Sequence, residues 1–95
     1  MMKTTVNHST DLAKSEIRKC LEGKSIYEMT VWLRDHAQYL KWFCNYTEGE
    51  IDSRIQPVIN FSFFLYKHFK DAPIVIEEFR EICVACVIDL ETNCR

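Results

Sequence analysis

The stretch "SIYEMTVWLRDHAQYLKWFCNYTEGE", residues 25–50, decides the fold. Ser25 and Glu28 stand in the S-x-x-E spacing of a capping box. In that box the hydroxyl accepts from the third amide of a helix and the glutamate reaches back to the cap's own N–H. Thr47 and Glu50 repeat the spacing. Two helix starts this far apart, with "NYTEGE" between them, predict a helix from the Ser25 cap to about Tyr46, a short loop and a second helix behind it.

Placed on a helical wheel, Ile26, Leu33, Ala37, Leu40, Phe43 and Cys44 gather around Met29 as a core stripe. Arg34, Gln38, Lys41 and Asn45 fall opposite, toward water. Trp32, Tyr39, Trp42 and Tyr46 make a second apolar arc on one flank, with Asp35 inside it and His36 at its seam with the core stripe. One helix with two apolar faces either fills the middle of a bundle or keeps one face for a partner. Trp and Tyr suit the second use, since each supplies a large contact area and a polar handle. Trp32, Asp35, Tyr39, Trp42 and Tyr46 are therefore the candidate partner-binding residues, Asp35 as a polar orienting group.

Upstream, Ser9, Thr10 and Asp11 precede a modest stripe of Leu12, Ile17, Cys20 and Leu21 that stops at Gly23. This predicts a first helix over about 10–22, with residues 1–9 a flexible N-terminus. Downstream, Pro57 lacks an amide hydrogen and crowds the preceding turn, which predicts a short turn near 48–55 and a main third helix over 56–70. Its content of Phe, Ile and Leu predicts that it is nearly enclosed. Asp71 is the expected cap of a fourth helix over 72–92, with Pro73 tolerated in the first turn. Strand alternation does not compete, so the chain reads as an all-α, single-domain bundle of about four antiparallel or orthogonally packed helices.

Ninety-five residues, 47% hydrophobic and 27% charged, with two Gly and two Pro, describe a single folded domain and not a disordered tail. No apolar run reaches the roughly 18 residues of a membrane span, and the N-terminus lacks an apolar signal core, so the expected setting is the cytoplasm, with no membrane partner. Five cysteines, an odd number, then read as reduced thiols with no disulfide framework. Residues 1–47 hold seven Lys/Arg against five Asp/Glu and residues 48–95 hold five against nine, an asymmetry that reads first as ordinary solvated surface and second as a means of orienting a partner or a second copy.

Chemistry is sparse. Cys83-x-x-Cys86 has the spacing of a zinc or redox pair, yet it continues the stripe of Val75, Phe79 and Leu90, and no second pair completes a ligand set. His36 and His68 lack the Glu-x-x-His pattern of dimetal bundles. No glycine-rich phosphate loop, nucleophile elbow or zinc-protease motif occurs. The expected function is a non-catalytic interaction module, a regulator, adaptor or inhibitor that occludes a larger protein partner and itself forms a homodimer, with no cofactor or metal. One alternative is a ligand- or metal-binding bundle using His36, His68, Cys83 and Cys86. Another is a DNA-associated regulator using Lys14, Arg18 and Lys19, against which the net charge of −2 argues.

Overall fold

A computed structural model describes the backbone of residues 2–94 and the side chains of residues 11–94. Four helices make up the fold: α1 (Met2–Leu21), α2 (Ile26–Phe43), α3 (Glu48–Phe69) and α4 (Pro73–Thr92). The connections are three or four residues long, as a helical bundle requires. Among the described residues no helix is long and apolar enough to cross a membrane.

Both capping boxes form. Ser25 Oγ accepts from the Glu28 amide at 3.2 Å while Glu28 Oε1 accepts from the Ser25 amide at 2.9 Å. Thr47 and Glu50 exchange the equivalent bonds at 3.1 and 2.8 Å. α2 ends at Phe43, earlier than the sequence suggested, and Asn45 turns the chain with φ 64°, a conformation Asn tolerates better than most residues. Gly23 does the same after α1 with φ 77°.

Three boundaries differ from the sequence reading. α1 begins at Met2, upstream of Ser9–Asp11, because a capping residue permits a helix start without compelling one, and nothing in residues 2–10 breaks the helix. α3 is continuous through Pro57, so the expected separate turn over 48–55 is absent. The proline sits on the exposed side, while buried Ile51, Ile55 and Ile59 carry one stripe past it. Asp71 does not cap α4, whose N-cap is Ala72. Its Oδ1 accepts instead from the Ile26 amide at 3.2 Å and ties the α3–α4 loop to the start of α2.

α4 is the helix all others share. It packs against α1, α2 and α3, and α2 packs also on α3, whereas α1 lies chiefly on α4. The core is one cluster in which Leu21, Met29, Leu33, Ile51, Phe79, Val87 and Leu90 are inaccessible to solvent. Charged pairs fasten its edges: Arg18 donates twice to Glu81 at 2.8 Å, joining α1 to α4, and Arg54 donates to Asp89 at 2.6 Å, joining α3 to α4. The resulting shape is flat, 43 × 31 × 16 Å, with a radius of gyration of 13.9 Å. A compact domain of this length would have about 12.4 Å.

Cys44 and Cys94 form a disulfide, which corrects the expectation of five reduced thiols. An odd cysteine count and an expected compartment speak to surroundings. They contain nothing about distance, and the fold brings the C-cap of α2 and the end of α4 to a Cα separation of 4.6 Å. Cys20, Cys83 and Cys86 remain free.

Candidate protein-interaction surface

Of the two Trp, four Tyr and six Phe, nine are exposed, and all nine lie on α2 and α3. Tyr27, Tyr39, Trp42 and Phe43 stand on α2, with Phe61, Phe63, Phe64, Tyr66 and Phe69 on α3. The enclosed third helix read from the sequence is thus corrected. In α3 only Ile51, Ile55, Ile59, Ser62 and Leu65 are buried, since α1 packs chiefly on α4 and the outer side of α3 has no helix over it among the described residues.

On the α4-facing flank of α2 the rings are ordered. Trp32 stacks on His36 with centroids 4.8 Å apart, His36 on Tyr39 at 5.7 Å, and Tyr39 on Phe43 at 5.8 Å. The spacing of three or four residues between successive rungs is what puts side chains over one another on a helix. His36 Nε2 lies 3.8 Å from Glu91 Oε2, so the ladder runs beside the end of α4. Trp42 rises next to it, 81% exposed, with Lys41 Nζ 5.8 Å from its ring centroid.

The five residues singled out from the sequence therefore separate. Trp32 is half-buried against the core, while Tyr39 and Trp42 are open to solvent. Asp35 is exposed on the other flank, in the seam facing α3, and pairs with none of the ladder rings, so the orienting role given to it is not what the geometry provides. Tyr46 is 6% exposed and its hydroxyl donates to the Leu90 carbonyl at 2.6 Å, so it belongs to the interior and not to a contact surface. Only a helix continued past Phe43 would put Tyr46 on the aromatic arc, and α2 ends there. Once the chain turns at Asn45, Tyr46 swings under α4.

Phe43, in the core stripe by its place on the wheel, is instead 68% exposed, a rung of the ladder. Its angle at the margin of that stripe was the available signal. The α3 aromatics were also legible as residues, but their exposure was not. Two more ring pairs run along α3, Phe61 stacked on Phe64 at 6.1 Å and Phe64 tilted against His68 at 4.5 Å.

The alternative set of His36, His68, Cys83 and Cys86 is not brought together. His68 is exposed on α3 beside Phe64, and among the described residues no three His, Cys, Asp or Glu side chains converge as metal ligands. Burial pushes the Cys83 thiol up to about 12, with Cys86 beside it adding to the effect, and burial pushes Cys86 up to about 11. Both thus stay protonated and poorly nucleophilic near neutral pH. Of the basic edge on α1, Arg18 is engaged with Glu81, whose carboxyl that guanidinium holds below the usual range.

The chain matches no protein family, no curated protein and no solved structure.

Proposed function

We propose that this protein works by binding another protein, as a non-catalytic regulator, adaptor or inhibitor, and that the aromatic flank of α2 with Trp42 at its crest is the contact surface. The observation that carries this reading is the concentration of exposed rings on α2 and α3 in a chain whose other helices expose only Leu12 and Ile74 among large apolar side chains of the described residues. Aromatic side chains dominate the energetics of protein interfaces. Rings already stacked on one another lose less conformational freedom when a partner covers them. The protonated cysteines of α4 and the absence of a converging ligand set among the described residues support binding over redox or metal chemistry.

Affinity capture from host lysate with the wild type and with Trp42→Ala and Tyr39→Ala tests the reading, with partners identified by mass spectrometry and folding checked by circular dichroism. The expected result is a partner held by the wild type and lost by both folded variants. Recovery of the same proteins by all three forms would sink it. The compartment belongs to the same experiment. A Cys44–Cys94 bridge persists in oxidising surroundings, against the cytoplasmic setting expected above, and alkylation of thiols before lysis reads which setting applies.

A further inference from the structure

The flank of α2 that faces α3 carries a different surface. Tyr27 and Val31 from α2 and Phe63 and Tyr66 from α3 wall a groove of about 470 Å³. Thr30 and Ser62 line it as well, both buried, and each hydroxyl donates to a carbonyl of its own helix, Ile26 at 2.9 Å and Ile59 at 2.6 Å. The lining is consequently apolar in effect. Arg34 and Lys67 stand at its edges. Farther along the same seam a second hollow of about 560 Å³ shares Val31 and Arg34 and is lined by Asp35, Asp52 and Glu48. One end of the seam is apolar and carries Lys67 at its rim, with Asp71 there turned onto the Ile26 amide; the other end holds Asp35, Asp52 and Glu48, and Arg34 lies between the two. Glu48 is engaged with Lys41, whereas Arg34, Lys67, Asp35 and Asp52 form no ion pair with another described residue.

We propose that a second copy of this chain docks on the α2–α3 seam, the two helix pairs lying face to face about a two-fold axis near Val31. Such an axis brings the Lys67 end of each copy over the Asp52 end of the other. A two-fold interface must be self-complementary, and a surface with opposite charges at its opposite ends is. A foreign partner would have to reproduce both signs in the right order. The size also fits. Helices of 18 and 22 residues present a face roughly 30 Å long and 20 Å wide, on the order of 600 Å² in projection before side-chain relief is counted, near the ~800 Å² each partner gives to a standard interface. The second copy supplies the layer that α1, packed on α4, does not supply within one chain. The inference deepens the reading of α2 and α3 as an interaction surface but does not use the Trp42 crest.

Sedimentation of the full chain tests it, with the wild type, Phe63→Asp, Lys67→Glu, Asp52→Lys and the Lys67→Glu/Asp52→Lys double variant. Each altered side chain is exposed, and circular dichroism verifies the helices. The wild type is expected at twice 11.3 kDa at tens of micromolar chain, and Phe63→Asp as a monomer. Each single charge reversal should weaken the dimer about tenfold, because symmetry counts it twice, and the double variant should recover it. Added salt should weaken the wild-type dimer. A wild type that stays monomeric overturns the proposal and leaves the Trp42 capture test standing. A dimer equally stable in Phe63→Asp, or a double variant no stronger than either single one, overturns it as well.

Discussion

Lys70 ends α3 with φ 54° and ψ −142°, a backbone conformation open to Gly and costly for a side chain, of order 1–3 kcal/mol. Its amide still donates to the Tyr66 carbonyl at 3.0 Å, so the turn is held from both sides. Replacing Lys70 with Gly is expected to raise stability by about 1 kcal/mol in urea unfolding, after the greater freedom of Gly in the unfolded chain is offset. Unchanged or lower stability would contradict the strain. Cys83 gives a pH dependence. Its folded-state value is raised above the ordinary 9, so the stability that burial of the neutral thiol confers is full below pH 9 and is lost as pH climbs from 9 toward about 12. Denaturant midpoints at pH 8 and pH 10.5 should show a fall of about 1 kcal/mol per unit that Cys83→Ala, though less stable throughout, loses in part.

At the scale of the element, α3 joins local conflict to tertiary rescue. Pro57 removes a hydrogen bond inside the helix, yet Ile51, Ile55 and Ile59 bury one stripe on both sides of it, and the Thr47 box fixes the start. Pro57→Ala is expected to stabilise the protein by roughly 1–3 kcal/mol, since it restores the bond at an exposed position. A drop in melting temperature would show that the ring itself makes a needed contact. The same helix shows what periodicity can resolve. The stripe that meets α2 and α4 is legible at four-residue spacing, but an apolar residue off that stripe looks identical whether another helix covers it or water does.

Over the whole molecule, the disulfide closes a loop with a sequence separation of 50, from the end of α2 to the end of α4. The same corner holds the Tyr46 hydroxyl on the Leu90 carbonyl, so covalent and polar ties meet where α4 finishes. Reduction, or Cys44→Ser with Cys94→Ser, is expected to lower the unfolding free energy by about 2–4 kcal/mol. An unchanged urea midpoint after reduction would mean that the packed corner holds without the bond. The flat outline belongs to this scale too. With α4 touching three helices and α1 chiefly α4, one side of α2 and α3 has no helix packed on it among the described residues.

The sequence alone determined the helices and several of their limits, because capping boxes, a glycine stop and a proline in a first turn act through bonds within a few residues of one another. It also determined the aromatic composition of α2 and α3 and the core stripe around Met29. Tertiary structure decided what those residues face. Asp71 bonds across to Ile26, Tyr46 leaves the surface for the Leu90 carbonyl, Cys44 finds Cys94, and Phe43 with five α3 aromatics is left in water. Each of these outcomes depends on which helix lies beside which, and that is settled by the joint burial of four stripes, which no short window of the chain contains.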